Sequence, residues 1–174
     1  MIPHNNASAD TDMTANRSIK ISTLAAVATA MAALALAGSL AAAPGPSPQN
    51  IVATRQAGFK KMGAAMKALN EQLKSNAPAK NVVAAAAQTI APTAREQAKL
   101  FPAGSGPAAG IKTDALPNIW TDRGTFDAQM NKLLVESARL VTVTNGGDMN
   151  AIRAQAKATG AVCAGCHRQF RADN

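Results

Sequence analysis

Two cysteines and a histidine stand close together near the C-terminus, in the order Cys163, Cys166 and His167. In a helix, residues three and four positions apart lie on one face, so all three side chains would project from the same side. Cys-x-x-Cys-His is the attachment signature of a c-type haem, in which each thiol forms a thioether and the histidine coordinates the iron. We therefore predict one covalently attached haem c per chain, held by Cys163 and Cys166, with His167 as axial iron ligand.

Three other interpretations of the cysteine pair are open. A thioredoxin-like redox pair requires a βαβ pattern nearby, and the sequence has none. A structural zinc ion usually takes four ligands, whereas the chain after residue 43 offers two cysteines and one histidine. A surface pair without any cofactor is the third alternative. Haem attachment is favoured because the composition removes most competing ligand sets.

The first 43 residues have the pattern of a secretory signal peptide. Arg17 and Lys20 precede an alanine-rich apolar run, 24–43, which ends in small residues. A basic segment, an apolar segment and a small-residue cleavage site are the parts of such a signal. The run is long enough for a membrane anchor, but its alanine, threonine and glycine content makes it weakly hydrophobic. We expect cleavage, export to the periplasm and no membrane span in the mature protein.

The formal charge of the chain is +8, and it stays +8 after residue 43, because the signal contains two acidic and two basic residues. A basic surface can attract nucleic acid, anionic lipid or an acidic protein. Export separates the protein from the genome, so we predict no nucleic-acid partner. An acidic redox partner protein is compatible with this charge.

The segments that must position the motif show helical apolar periodicity in four blocks, each stepping by three and four residues. The blocks cover residues 50–74, 79–100, 122–144 and 148–171. Residues 44–49 are a predicted linker. Four amphipathic helices predict an all-α fold, an antiparallel four-helix bundle over residues 50–174, with the haem attached near the C-terminus.

Local signals predict where these helices begin and end. Asn50, Asp122 and Asp148 are the predicted N-caps. Pro92 removes one hydrogen bond from the second block, so we expect a kink or a break there. A long loop from about residue 102 to 121 separates the second and third blocks. Loops of that length in compact domains are usually functional, and we expect this one to be ordered against a buried object.

With the motif on the last helix of a bundle, the chain resembles the cytochrome c′ family, the class II c-type cytochromes. The resemblance covers the whole region after the signal. It rests on the haem motif with Arg171 four residues after His167, on Arg55-Gln56 in the first helix, and on Leu-Pro-Asn-Ile-Trp at 116–120.

The resemblance implies a role for each matching position. Arg55 and Gln56 look like the pair that touches the haem near its propionates, and Asp114 occupies a loop position that also contacts the haem. Phe59 stands where six-coordinate relatives of the cytochrome c-556 type have an iron-ligating methionine. Phenylalanine has no ligating atom, so the sixth site is expected to be open but sterically covered. Arg171 is expected beside the proximal histidine, and it also suits a helix C-terminus as a cation.

Residue types alone leave the sixth ligand open. Met62 lies one helical turn beyond Phe59 on the same face, and Met66 and Met130 are further candidates. Each of the three methionines equally suits packing in an apolar core.

By resemblance, the expected function is a periplasmic, five-coordinate haem c protein that binds NO and CO, transfers electrons, or does both, and that forms homodimers. An apolar distal pocket disfavours polar iron-bound O₂ and admits uncharged diatomic gases. The alternative is a low-spin electron carrier of the c-556 type with a methionine ligand. We predict no enzyme, since peroxidase-like catalysis requires a distal group that moves protons, and none is evident.

Overall fold

A computed structural model describes residues 45–107 and 110–173 of the protein. Its helices are α1 (Pro48–Lys74), α2 (Lys80–Gln97), α3 (Asn118–Thr121), α4 (Arg123–Gly146) and α5 (Met149–Phe170). Between residues 45 and 173, the described segments contain no strand, only a single antiparallel bridge from Ala115 to Arg171. The predicted signal peptide, residues 1–43, lies outside the described residues.

The four long helices form an antiparallel bundle, as the periodicity predicts. One buried cluster contains residues of all four, including Leu69 of α1, Ile90 of α2, Leu140 of α4 and Ile152 of α5. Each of these side chains is at most 1% exposed. Burying large aliphatic side chains from every helix stabilises the bundle at this end, by about 1.5–3 kcal/mol for each residue.

A second buried cluster lies towards the cysteine motif. It is rich in aromatic residues and contains Phe101, Phe126 and Phe170, which pack with ring centroids 4.6 and 5.3 Å apart. Cys163 and Cys166 are partly buried against it. The motif therefore belongs to the core side of α5. No helix among the described segments has both the length and the hydropathy needed to cross a membrane.

The first helix begins earlier than predicted, and the prediction that Asn50 is its N-cap is wrong. Ser47 is the N-cap, and its hydroxyl accepts a hydrogen bond from the Asn50 N–H at 3.3 Å. Pro48 is the first helical residue, a position where its missing N–H costs nothing and its fixed φ suits the helix. Residues 48 and 49, predicted as linker, are thus helical.

The predicted caps of the last two long helices are confirmed. The Asp122 carboxylate accepts from the Thr125 N–H at 3.4 Å, and the Asp148 carboxylate accepts from the Asn150 N–H at 2.9 Å. Between them, Gly147 ends α4 in the left-handed region, with φ of 73°. Glycine adopts that conformation without steric cost, so a tight turn joins α4 to α5.

No break occurs at Pro92, which lies inside α2. The proline is exposed, and so is Gln88, whose carbonyl loses its helical partner. That carbonyl can bind water instead, so the helix continues. The predicted loop is shorter than expected, because its last residues form α3.

Candidate haem-binding site

A cavity of about 700 Å³ opens between α1 and α5, close to the cysteine motif. Its walls are mainly apolar, and its volume lies within the usual range for small-molecule sites. Every residue predicted for the site lines this one cavity: Arg55, Gln56, Phe59, Asp114, Cys163, Cys166, His167 and Arg171. The structure thus brings all of them together, although more than a hundred residues of sequence separate the first from the last.

The two cysteines lie in the last turns of α5 as unpaired thiols. Burial raises the pKa of the Cys163 thiol. Burial, together with the neighbouring Cys163, raises the pKa of Cys166 to about 11. Both thiols are therefore neutral at pH 7. A redox-active Cys-x-x-Cys pair depends on a lowered thiol pKa, so the geometry does not favour the thioredoxin-like alternative.

The imidazole of His167 faces the same cavity. Burial, with a smaller contribution from the Arg171 cation, lowers its pKa below the usual value. The ring is therefore neutral at pH 7, the state in which histidine binds metals. Among the described residues, no group of three or more histidine, cysteine or acidic side chains could hold a metal ion. The protein offers His167 as a single nitrogen ligand.

Two contacts establish the register of α1 against α5. A β-carbon placed on Gly160 would lie 3.9 Å from the terminal methyl of Met66. Further along, the Arg153 Nε–H donates to the Leu73 carbonyl at 3.3 Å. From the first contact to the second, the contacting residue advances by seven positions on α1 and goes back by seven positions on α5. The helices are therefore antiparallel, with a common register over at least two turns.

This register places Phe59 level with His167. The two contacts lie seven and fourteen residues after Phe59 on α1, and seven and fourteen residues before His167 on α5. Met62 is three residues further along α1, about 4.5 Å along the helix axis. Met62, Met66 and Met130 all line the cavity. Met62 and Met130 are buried, and Met66 is half-buried. All three candidate methionines therefore line the cavity, and neither of the two on α1, Met62 and Met66, is level with His167.

Arg55 is buried, with 2% of its surface exposed. Its Nη1 donates to the Leu100 carbonyl and to Ser105 Oγ, at 3.1 and 3.3 Å, and its Nη2 donates to the Ser105 carbonyl and to Thr113 Oγ1, at 3.1 and 3.0 Å. The guanidinium also lies 4.5 Å from the centroid of the Phe101 ring. Arg55 thus ties α1 to both ends of the long loop.

Within the described segments, no carboxylate lies within 4 Å of the Arg55 guanidinium. Burial accordingly lowers its pKa from the ordinary value. A buried charge normally has a partner of opposite sign. Because Arg55 lines the cavity, an anionic group of a bound cofactor, such as a haem propionate, would supply the missing charge.

The rest of the long loop is attached to the end of α5. The Leu116 N–H donates to the Phe170 carbonyl at 3.0 Å, the Ala172 N–H donates to the Asp114 carbonyl at 2.8 Å, and Asp114 pairs with Arg171 at 3.2 Å. We call this pairing of 114–118 with 169–172 the strap. It holds Asp114 and Arg171 at the rim of the cavity.

Three polar residues at this site were not predicted. Ser105 and Thr113 accept hydrogen bonds from Arg55, and Gln129 lines the cavity while its Nε2–H donates to the Val162 carbonyl at 3.0 Å. Gln129 carries a recognisable signal, since it stands three residues after Phe126 on the apolar face of α4. Ser105 lies in a glycine- and proline-rich loop without periodicity, where no pattern identifies it.

The residues present fit a covalently attached haem. The cavity is large and apolar, as sites for small molecules and cofactors usually are. Two neutral thiols and one neutral imidazole reach it from a single helix, and Arg55, a buried cation with no carboxylate partner among the residues described, lines it from α1. The thiols match the vinyl groups of a c-type haem, the imidazole matches its iron, and the cation matches its propionates.

Known proteins agree with this assignment. The family model described as Cytochrome C′ matches residues 50–171. Cytochrome c′ of Rhodospirillum rubrum is 35% identical over 109 residues, which are 62% of this chain and 72% of the relative. Cytochrome c′ of Allochromatium vinosum is 30% identical over 150 residues, or 86% of this chain and 97% of the relative.

The fold is also found among solved structures. The chain is similar to the crystal structure of cytochrome c′ from Thermochromatium tepidum, with a TM-score of 0.69 and 27% identity, over 74% of this chain and 98% of that one. Since the family model spans nearly the whole region after residue 49, and curated relatives are at least 30% identical over most of their length, the chain belongs to the cytochrome c′ family, whose members bind haem c covalently.

Proposed function

We propose that this chain is a periplasmic haem c protein with an open sixth coordination site that binds small uncharged gases, NO or CO. Cys163, Cys166 and His167 would hold the haem, and a bound haem would supply an iron at which a diatomic gas can bind. The observation that supports an open site is the register of α1 against α5. It puts Phe59, which has no ligating atom, level with His167.

Phe59 is proposed to cover the distal side of the cavity. Its ring is half-buried and packs edge-on against Phe101, with centroids 6.3 Å apart. On the same helix face, Met62 and Met66 continue this wall, and the side chains of Phe59, Met62 and Met66 have no hydrogen-bond donor. Such a wall cannot stabilise the polar iron-bound form of O₂, so it favours uncharged diatomics. A gas that enters must displace the Phe59 ring.

The other lining residues are proposed to hold the haem rather than the gas. Arg55 and Gln56 would face the propionates, and Gln56 is kept in place as its Nε2–H donates to the Lys112 carbonyl at 3.1 Å. Asp114 is proposed to contact the haem edge through the strap. Arg171 would lie beside His167, where its positive charge tunes the iron.

The absorption spectrum of the purified ferrous protein, before and after addition of CO, tests the proposal. We expect a broad high-spin Soret band that sharpens when CO binds. A sharp low-spin spectrum that CO does not change would mean an internal sixth ligand, and the proposed open site would be wrong.

A variant tests Phe59 itself. Moving a side chain out of its rotamer costs about 0.5–1.5 kcal/mol, so Phe59→Ala should raise the CO association rate about two- to tenfold. Met66→Ala is the matched control, because Met66 lines the same cavity two turns away and should leave the rate unchanged. Equal rates in Phe59→Ala and the unmodified protein would remove Phe59 from the distal site.

The second candidate function is low-spin electron transfer, with Met62 as sixth ligand. It is favoured by the burial of Met62, 5% exposed, on the cavity wall one turn from Phe59. A 695 nm-type absorption band, roughly a marker of His/Met ligation, would support it. The band would have to disappear in Met62→Ala and persist in Met130→Ala.

Cellular location and assembly complete the proposal. We propose that residues 1–43 are removed on export to the periplasm, which mass spectrometry of the mature protein tests. One solved relative is described as a cytochrome c′ with an unusual ligand-controlled dimer dissociation; it has 26% identity and a TM-score of 0.70, over 75% of this chain and 100% of that one. We propose a homodimer here as well, formed through α1, and sedimentation with and without CO measures it. No enzymatic activity is proposed.

A further inference from the structure

The haem cavity continues beyond the point where the haem would be attached. By the register of α1 against α5, Cys163 is level with Gly63, so a haem bonded to Cys163 would have a thioether edge at that level. Its propionates would lie towards Arg55, at the other end. Met66 and Gly160 also line the cavity, although they lie about 4.5 Å further along the helix axes, away from Arg55. The cavity therefore has a part beyond the thioether edge.

Helix α2 reaches this part of the cavity with Ile90, which also lines it. Gln97 packs on Gly58, where a β-carbon would clash with the Gln97 side-chain amide. Ile90 lies seven residues before Gln97, and α2 is antiparallel to α1, so the residue level with Ile90 lies seven residues after Gly58. That residue is Ala65, which directly precedes Met66. Ile90 and Met66 are therefore at nearly the same level.

Helix α4 reaches the same part of the cavity with Leu133, again a lining residue. Two hydrogen bonds between α4 and α5 bracket its position. They join the Gln129 amide to the Val162 carbonyl at 3.0 Å and the Thr159 hydroxyl to the Glu136 carbonyl at 3.3 Å. Leu133 lies between the two α4 residues, and Gly160 lies between the two α5 residues. The two helices therefore bring Leu133 and Gly160 to one level.

One residue from each of the four long helices thus lines the cavity at this level: Met66, Ile90, Leu133 and Gly160. We call the space between them the chamber. Ile90 and Leu133 are only 1% and 5% exposed, so the chamber lies inside the bundle. Further from the haem motif, three core residues are at most 1% exposed and do not line the cavity: Leu69, Leu140 and Ile152. The chamber therefore ends against a packed aliphatic core.

Small residues leave this space between the helices. Gly160 has no side chain, and a β-carbon placed there would have the terminal methyl of Met66 as its nearest neighbour, at 3.9 Å. On α2, the buried residues nearest to Ile90 are alanines: Ala86, Ala87, Ala91 and Ala94. Larger side chains at these positions would fill the space to the density of an ordinary core. The sequence thus provides a chamber at this level instead of a continuous core.

The walls of the chamber are apolar. The side chains of Met66, Ile90 and Leu133 carry no charge and no hydrogen-bond donor. Asn70, one turn beyond Met66, also lines the cavity, but it is exposed. A buried water usually makes about three hydrogen bonds to polar groups, whereas an uncharged diatomic molecule requires none. The chamber therefore suits such a molecule better than water.

We propose that the chamber holds an uncharged diatomic gas, NO or CO, after the gas has detached from the iron. The inference rests on the proposed gas-binding function and adds a second gas site to it. Met62 lies between Phe59 and Met66 on the same face of α1 and lines the cavity, so apolar surface connects the distal pocket with the chamber. Gas held there returns to the iron instead of leaving past Phe59. Because entry from solution is limited at Phe59, the chamber changes how long gas is retained and not how fast it arrives.

Xenon is the probe for the first test, since it is uncharged and binds in apolar cavities of about 150 Å³. Crystals of the haem-loaded protein under xenon pressure should show xenon in contact with Ile90 and Leu133. Leu133→Phe and Gly160→Leu fill the chamber from two different helices, and each should remove most of the bound xenon. Val135→Phe is the control, because Val135 is 48% exposed on α4, and it should leave the xenon in place. Ordered water in the chamber, or xenon that both filling variants leave unchanged, would overturn the proposal.

Laser photolysis of the ferrous CO complex is the second test. CO that a light pulse detaches and the chamber retains should rebind in a slow phase whose rate does not depend on the CO concentration. This phase should be lost in Leu133→Phe and in Gly160→Leu and should persist in Val135→Phe. If the phase has the same amplitude in all of these proteins, the gas does not use the chamber and the proposal is wrong, even where xenon binds.

The two tests separate the chamber from the open sixth site. A protein whose spectrum CO does not change has no open site, and the xenon result then decides whether the chamber takes up an apolar gas. A protein that binds CO but takes up no xenon keeps the open site and loses the chamber. Thermal unfolding of each variant, followed by circular dichroism, shows that a loss of xenon or of the slow phase does not come from a loss of fold.

Discussion

The buried cation of α1 allows a quantitative test of how the cavity is held together. Arg55→Met keeps most of the apolar volume but removes the charge and all five donors. The hydroxyls of Ser105 and Thr113 and the carbonyls of Leu100 and Ser105 then lose a donor, and each hydrogen bond to a charged group contributes about 1.5–3 kcal/mol. The ring contact with Phe101 contributes about 0.5–2 kcal/mol more.

The variant no longer buries a cation. Because the desolvation of a buried cation costs several kcal/mol, its removal offsets part of this loss. We expect the free energy of unfolding of the haem-loaded protein to fall by about 3 kcal/mol. For a domain of this size, such a change lowers Tm by roughly 10 °C. Thermal and denaturant unfolding followed by circular dichroism measures it.

Arg95→Met is the matched control, because Arg95 is exposed on α2 and the change should stay within about 0.5 kcal/mol. Ser105→Ala, combined with Arg55→Met in a double-mutant cycle, should give a coupling of about 0.5–3 kcal/mol. A loss below 1 kcal/mol in Arg55→Met, or a coupling near zero, would show that the guanidinium does not hold the loop.

Three further substitutions test other parts of the structure, each by denaturant unfolding. Gly147→Ala should lower the free energy of unfolding by about 1–2 kcal/mol, because φ is 73° there; Gly146→Ala, inside α4, is the control and should not destabilise. Phe126→Ala should cost about 3–5 kcal/mol, since this ring is 1% exposed between two others. Asp114→Asn should cost no more than about 1 kcal/mol, because its ion pair is solvent-exposed.

Each of these expectations has a clear contrary result. Equal stability in the Gly147 and Gly146 variants would contradict the left-handed turn. A cost below 1 kcal/mol for Phe126→Ala would mean that the aromatic cluster is not packed. A large loss in Asp114→Asn, insensitive to salt, would show that this carboxylate has a buried role.

The bundle could be predicted from the sequence because its signals are local and repeated. Apolar residues stepping by three and four mark one face of each helix, and Asp122 and Asp148 cap their own first turns. Asn50 failed as a cap for an equally local reason, since Pro48 suits the first helical position better. Cys163, Cys166 and His167 were found from a short local motif, whereas the residues of α1 were assigned from the resemblance to the cytochrome c′ family.

The parts that could not be predicted depend on tertiary packing. Ser105 and Thr113 become partners of Arg55 only when the loop folds over α1, and the loop has no periodicity to indicate this. The register that sets Phe59 level with His167 follows from contacts between helices that are about a hundred residues apart in sequence. Patterns within a helix contain no information about that offset.

The strap has a consequence for the order in which the chain folds. Its hydrogen bond from Asn118 to Gln169 spans 51 residues, and the Arg55 contact with Thr113 spans 58. The α1–α2 and α4–α5 hairpins close much shorter loops, and non-local contacts form more slowly than local ones. We therefore expect the hairpins to form first and the cavity to close last. Until the strap forms, the mouth of the cavity remains wide, and this interval is when a large flat cofactor can still reach the two thiols.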